Sequence, residues 1–348
     1  MKLTVRTREN STSIDCAEED RILYAALRAG LDLPYECATG TCGTCKARAR
    51  PGQVEELWPD APGRAYLKPE RGEFLMCQAR SLGDCEILVP GRPAGAANRT
   101  ICPSERRGVL TALRRLTHDV VQLEVALDEP TSFHPGQFMV VETQGISGYR
   151  AYSMANFARE TPRLTFVIKR KPGGAFSEWL FASDVTGAEL NLFGPLGRAT
   201  FHPEEDKNFL CIAGGSGIAG MMSMLERARQ TEYFESHSGR VFFGVRTMKD
   251  TFFLNELSEL RSLAPGRLQV TVALSDEEAP PAESTGHPGL VYATGLVHQV
   301  AGRHISDGLE HATTAFVAGP PPMVDGALRM LILEARLPAN DIRYDKFS

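Results

Sequence analysis

Residues 36 to 46 read Glu-Cys-Ala-Thr-Gly-Thr-Cys-Gly-Thr-Cys-Lys, and this loop constrains the chain more than any other stretch. Cys37, Cys42 and Cys45 stand with four and then two residues between them, and Cys77 follows in Phe-Leu-Met-Cys-Gln. The spacing C-x4-C-x2-C…C suits a [2Fe–2S] cluster. Two bridged irons need four thiolates in a small volume, so three must come from one tightly wound loop. Ala38, Gly40 and Gly43 are small enough to let the loop close round a cluster and aim N–H groups at sulfur. Zinc is the rival metal. It usually takes cysteines in C-x2-C pairs, whereas here the first gap is four and the last cysteine is distant.

The other cysteines support this choice. Eight in a chain of 348 residues do not form a disulfide framework. Cys16, Cys85, Cys102 and Cys211 read as small buried or linker residues in a reducing cytoplasm. A net charge of −5 argues against nucleic-acid binding. No apolar run reaches the ~18–20 residues of a membrane span, and the start Met1-Lys2-Leu3-Thr4-Val5-Arg6 is no signal peptide. The expectation is a cytoplasmic monomer of two or three domains.

Residues 2 to 16 alternate weakly and read as a strand pair. Residues 20 to 30 carry apolar side chains at helical spacing, with Asp20 as a cap and Gly30 in the left-handed position past the end. A second strand pair is expected around 46–55 and 85–89. From Pro90 to Pro103 the chain turns to Gly, Pro and Ala, an exposed linker. The expected division is 1–92, a linker at 93–103, then 104–203 and 204–348. Short β-branched segments between 108 and 200 suggest a closed antiparallel barrel. Within them lie Arg150-Ala151-Tyr152-Ser153 and a Gly-rich turn opening a helix, Pro172 to Leu180. A helix start with free N–H groups suits a pyrophosphate, and an arginine is its natural ion partner. Farther on, the apolar run Phe209 to Ala213 enters Gly214-Gly215-Ser216-Gly217-Ile218-Ala219-Gly220 and a helix. Strand, glycine turn and helix make Gly215, Gly217 and Gly220 a dinucleotide signature. The acid usual after the next strand is missing, and Val245 and Arg246 stand there instead. A last strand, Ala315 to Ala318, enters Gly319-Pro320-Pro321-Pro322-Met323.

These motifs carry three resemblances. The cysteine loop in a short strand-rich unit resembles a β-grasp [2Fe–2S] ferredoxin. Arg-x-Tyr-Ser with the Gly-rich helix start resembles the flavin-binding barrel of the ferredoxin–NADP⁺ reductase superfamily. The third part resembles that superfamily's Rossmann-like nucleotide domain. The fold class implied is multidomain: α+β, β-barrel and α/β. The resemblance implies FAD, with Arg150 and Ala151 at its diphosphate, Tyr152 stacked on the isoalloxazine and the Ser153 hydroxyl near N5. Val167, Ile168 and Lys169 would line the flavin, and Gly173, Gly174, Ala175, Phe176 and Ser177 would complete the diphosphate site. NADH would lie on Gly214, Gly215, Ser216, Gly217 and Ile218, with Arg246, Gly319, Pro320 and Pro321. The family usually has proline at Gly220 and a cysteine beside the nicotinamide at Ala318. Phe347, or alternatively Tyr344, would be its C-terminal aromatic at the flavin.

Taken whole, the chain resembles the reductases of bacterial multicomponent oxygenases, toluene and xylene monooxygenase reductases in particular. The stretch Glu56 to Gly63 and the ending Tyr344-Asp345-Lys346-Phe347 point to that subgroup. The implied function is electron transfer from NADH through FAD to a [2Fe–2S] cluster. The acceptor would be a terminal oxygenase hydroxylase or intermediate ferredoxin of aromatic hydrocarbon catabolism. No side chain need act as acid, base or nucleophile, so all eight histidines are expected at the surface. The rivals are the same relay feeding a deoxysugar dehydratase system, and a non-enzymatic zinc loop fused to a nucleotide sensor.

Overall fold

The N-terminal strands form a small mixed sheet. They are β1 (Lys2–Arg6), β2 (Ser11–Asp15), β3 (Lys46–Ala49), β4 (Val54–Glu56), β5 (Glu73–Leu75), β6 (Ala79–Ser81) and β7 (Cys85–Leu88), with helix α1 (Ile22–Arg28) after β2. The sheet order is β2-β1-β7-β3-β5, and β4 pairs separately with β6. Both expected strand pairs form: β1 with β2, and β3 with β7, each antiparallel. Helix α1 buries Ile22 through Leu27, and Gly30 takes φ +82° just beyond it. Asp20 does not cap it. Its carboxylate accepts from the Ala17 N–H at 2.8 Å and pairs with Arg28, a cation on the helix's own last turn.

The second set of strands is β8 (Ser104–Arg115), β9 (Val120–Thr131), β10 (Phe138–Thr143), β11 (Ile146–Ser153), β12 (Thr161–Lys169) and β13 (Glu189–Leu196), with helix α2 (Ala175–Ala182) after β12. Their order is β11-β10-β13-β8-β9-β12. A bridge from Met154, just past β11, to Phe166 in β12 brings the two edges together, as a barrel requires.

The third sheet is parallel. It contains β14 (Asn208–Gly214), β15 (Gly239–Val245), β16 (Leu268–Leu274), β17 (Leu290–Thr294), β18 (Thr313–Gly319) and β19 (Ile342–Lys346), with helices α3 (Ile218–Gln230), α4 (Leu254–Leu263), α5 (Val297–Ile305) and α6 (Pro321–Leu333). Its order is β17-β16-β15-β14-β18-β19, so the sequence of crossovers reverses between β14 and β18. Alternation along β14 shows why both faces are covered. Phe209, Cys211 and Ala213 join the core beneath α3, whereas Leu210 and Ile212 join the core beneath α5 and α6.

This computed structural model describes residues 1–50, 52–90, 101–279, 286–305, 309 and 312–347. Positions 93–100 of the expected linker lie outside them. The chain divides into two compact units. One comprises Met1–Arg106, Met139–Ala151 and Asn191–Leu196, and the other the remainder. No described helix is long and apolar enough to cross a membrane.

Candidate functional site

The cysteine loop follows α1 and winds through left-handed backbone at Ala38, Gly40 and Gly43, φ +57°, +95° and +78°. A second segment backs it. The Gly63 N–H donates to the Gly40 carbonyl at 2.8 Å, and a Cβ at Gly63 would lie 2.8 Å from both Gly40 O and Gly43 N. The thiols pair two and two. Cys45 and Cys77 bring their Sγ atoms to 3.2 Å, and Cys37 and Cys42 lie close enough to shift each other's titration. Backbone amides point at sulfur: Thr39 N–H to Cys37 at 3.4 Å and Thr44 N–H to Cys42 at 3.5 Å. The interaction with Cys42 draws the Cys37 pKa below the usual thiol range, and the same interaction pushes Cys42 up. Cys45 and Cys77 are buried, while Cys37 and Cys42 are half-buried and mark the accessible side.

This donor set fits a two-iron cluster better than one zinc. Thiolates bound to a single zinc at ~2.3 Å must all lie within ~4.6 Å of one another. Among the described residues the three-ligand group that compact is His118, Asp119 and Asp250, and the cysteines form no such group. That histidine–carboxylate group already holds cations: Lys169 lies 3.2 Å from Asp119, and Arg246 lies 3.6 Å from Asp119 and 3.2 Å from Asp250.

The flavin candidates divide between the units. In the first, Arg150 on β11 donates to the carbonyls of Ser147 at 2.9 Å and of Gly148, folding over its own turn beside Ala151. In the second, the Tyr152 ring stacks on Phe176, with centroids 5.7 Å apart, and Ser153 is buried. Val167 and Ile168 are buried in β12, and exposed Lys169 is paired with Asp119 rather than free. Gly173 takes φ +73°, and α2 opens at Gly174 and Ala175 with no side-chain cap. Ser177 Oγ turns back to accept from Lys171 N–H at 3.0 Å and to donate to the turn's carbonyls. An uncapped helix start of this kind leaves amides for an anion. A flavin diphosphate therefore fits the residues present.

The nucleotide candidates sit at the carboxyl ends of β14 and β18, where the sheet order reverses. Gly214 leads into a tight turn over Gly215, Ser216 and Gly217, and Ile218 begins α3, again with no side-chain cap. A Cβ at Gly217 would lie 2.3 Å from the Ala318 carbonyl oxygen, so only glycine lets this turn touch β18. Gly319, Pro320 and Pro321 carry β18 into α6, and a Cβ on Gly214 would meet Pro320 Cδ at 3.3 Å. Gly220 faces Ser153: a Cβ there would approach its hydroxyl to 3.6 Å, an ordinary contact. Phe347 is no frayed end. Its N–H donates to the Gly319 carbonyl at 3.0 Å and its ring packs on the core that includes Ala318. Tyr344 is 39% exposed, under Lys346.

Two features went unseen in the sequence. Arg246 is held by Asp119 and Asp250, and Asp250 caps the turn after β15 through Thr247. The Thr-x-x-Asp string was the available signal. The histidines are not all at the surface either: His134 and His202 are half-buried, with ring centroids 4.9 Å apart, because the turn after β9 folds under α3.

Three family models match in succession: a 2Fe-2S iron-sulfur cluster binding domain over residues 6–82, an oxidoreductase FAD-binding domain over 107–201 and an oxidoreductase NAD-binding domain over 211–329. The chain is 35% identical to the ferredoxin–NAD⁺ reductase component of the alkene monooxygenase system of Xanthobacter autotrophicus, covering 96% of this chain and 98% of that protein. It is 32% identical to the xylene/toluene monooxygenase electron transfer component of Pseudomonas putida, covering 94% and 89%. The solved ferredoxin reductase in carbazole 1,9a-dioxygenase superposes with a TM-score of 0.79 at 31% identity, over 100% of this chain and 99% of that one. With thiols set two and two, uncapped helix starts where anions are expected and relatives matching along their whole length, the chain belongs to the family of ferredoxin–NAD(P)⁺ reductases that serve oxygenase systems.

Proposed function

We propose that this protein carries electrons from NADH, through FAD and a [2Fe–2S] cluster, to a terminal oxygenase or its ferredoxin acting on an aromatic or other hydrocarbon substrate. When bound, the flavin would accept two electrons as one hydride and the cluster would accept single electrons, which is the reason for combining them. The chain's own residues bind and orient. Cys37, Cys42, Cys45 and Cys77 hold the irons, and the Thr39 and Thr44 amides lower the charge on sulfur. By the family resemblance Arg150 would bind the flavin diphosphate, as would the amides of Gly174 to Ser177, while Tyr152 would cover the ring and the Ser153 hydroxyl would lie near its N5. The Gly214–Ile218 turn takes the NADH pyrophosphate, and Ala318 to Pro321 form the shelf beside the nicotinamide, with Phe347 as the C-terminal aromatic. The functional division is 1–92, 104–203 and 204–348. The protein works as a cytoplasmic monomer, where thiols stay reduced.

The observation that carries this reading is the four-thiol set, with Cys45 and Cys77 Sγ 3.2 Å apart and backbone amides on Cys37 and Cys42, in one chain with flavin and nucleotide modules. NADH is favoured over NADPH because Arg246, the nearest cation for a 2′-phosphate, already faces two carboxylates. The test is the purified protein's spectrum and its reduction of cytochrome c. Flavin and cluster bands with NADH-dependent turnover are expected, whereas a colourless protein, or equal turnover with NADPH, contradicts the reading. Mixing with a candidate oxygenase then identifies the acceptor by product formation.

A further inference from the structure

Tyr24 is a polar ring in an otherwise apolar run, Ile22-Leu23-Tyr24-Ala25-Ala26-Leu27, yet it is only 4% exposed. Its ring stacks on Phe193 of β13, with centroids 4.4 Å apart and planes 10° from parallel. Tyr149 of β11 meets it edge-on at 5.5 Å. Its hydroxyl donates to the Ala38 carbonyl at 3.0 Å, one residue past Cys37. Arg21, three residues earlier, donates to the Cys77 carbonyl at 2.9 Å and to Gln78 Oε1 at 2.8 Å. The same guanidinium lies 5.1 Å from the Tyr149 ring centre and 5.8 Å from that of Tyr24. All these residues belong to the first unit.

Both chain segments that supply thiols are thus tied to one aromatic group. Its other members come from strands of the flavin barrel, and Tyr149 immediately precedes Arg150. A phenylalanine would fill the core as well as Tyr24 does. A buried hydroxyl is costly unless paired, and here its partner is the cluster loop.

We propose that Tyr24 is a positioning residue for one-electron transfer from flavin to cluster, with Phe193 as its stacking partner. The proposal rests on the relay of the preceding subsection. NADH would give two electrons as a hydride and leave as NAD⁺. The cluster would take one of them, and the second would stay on the flavin until the acceptor protein had reoxidised the cluster, with protons passing to solvent. No bond forms at Tyr24, which is neither oxidised nor reduced. Its part is to hold the cysteine loop at a fixed place against β11 and β13 and to fill the space between with a packed ring.

The test uses the holoprotein and its Tyr24→Leu, Tyr24→Phe and Phe193→Leu variants, mixed anaerobically with NADH. Flavin bleaching and the electron-spin signal of the reduced cluster are followed separately. The cluster potential and hydrogen exchange of the 38–46 amides are measured alongside. Flavin bleaching should be unchanged throughout. Cluster reduction should slow roughly tenfold in Tyr24→Leu and Phe193→Leu, less than the ~10²-fold that a ~1 Å misplacement of reacting groups can cost. Loop exchange should quicken in Tyr24→Leu with the cluster potential unmoved. Tyr24→Phe, which keeps the stack, should recover most of the rate while loop exchange stays quick. Wild-type cluster reduction in Tyr24→Leu overturns the proposal, as does a slowing matched by a shifted potential. If Tyr24→Leu does not fold, Phe193→Leu and Tyr24→Phe decide it by the same criteria. A wild-type cluster that NADH leaves oxidised is a different failure, that of the relay itself.

Discussion

Replacing Cys77 by serine removes one of four thiolates and leaves a buried hydroxyl beside Cys45, whose Sγ lies 3.2 Å from that of Cys77. The variant should lose the cluster bands and cytochrome c reduction while NADH still bleaches the flavin. Retained cluster absorption would show that Cys77 is not a ligand. A second residue-scale prediction concerns nucleotide choice. Asp119→Asn removes one of the two carboxylates on Arg246, leaving Asp250, and so makes the guanidinium more available to a 2′-phosphate. The ratio of kcat/KM for NADH over NADPH should fall by up to about fivefold, since a partly exposed ion pair is worth ~1 kcal/mol at most. An unchanged ratio would mean that Arg246 does not read the nucleotide. The cysteines were legible from spacing because ligand geometry dictates it. Asp119 and Tyr24 were not, since their partners lie far along the chain and no local pattern marks them.

At the scale of elements, the turn from β14 into α3 depends on close backbone approach. Gly217→Ala would place a methyl 2.3 Å from the Ala318 carbonyl oxygen, so β14 and β18 must separate or the turn must shift. The expected cost is about 1–3 kcal/mol of stability, with a raised KM for NADH and an unchanged cluster spectrum. Gly220→Ala, whose methyl meets Ser153 at ordinary contact distance, should be tolerated far better, and thermal denaturation of the two variants makes the comparison. The turn after β9 gives a pH dependence. Burial, and next the neighbouring charge of His202, depress the His134 pKa. The unfolded chain then binds a proton, at a pKa of ~6.5, that the folded protein resists. Stability is therefore full above pH ~6.5 and falls as pH drops through the depressed value. Melting temperatures should decline on acidification through that window, and His134→Gln should flatten the decline. An identical decline in the variant would place the titration elsewhere.

Elements with strong periodicity were legible. The run from Ile22 to Leu27, the β14–turn–α3 unit and the paired strands at both ends of the N-terminal sheet all follow from local pattern. The Asp20 cap failed because a tertiary partner, Arg28, took the carboxylate. Sheet closure through Met154 and Phe166 was foreseen only in outline, since register depends on strands distant in sequence.

At the scale of the whole molecule, three modules of different chemistry share one chain. All three can be read from short motifs because phosphates and irons demand particular backbone and ligand geometry, as at Gly215–Gly217, Gly173–Ser177 and Cys37–Cys45. The acceptor protein leaves no such motif. The half-buried pair Cys37 and Cys42 shows only which side of the cluster an acceptor would meet. Electrons pass in a fixed order, from nucleotide to flavin to cluster. That order is tested most directly by rapid anaerobic mixing of the holoprotein with NADH, with the flavin band and the reduced-cluster spin signal recorded in time. Flavin bleaching should come first and cluster reduction after it, the electron on the cluster being one of the two that NADH placed on the flavin. A cluster that stays oxidised while the flavin bleaches, or a cluster reduced before the flavin, would contradict that order.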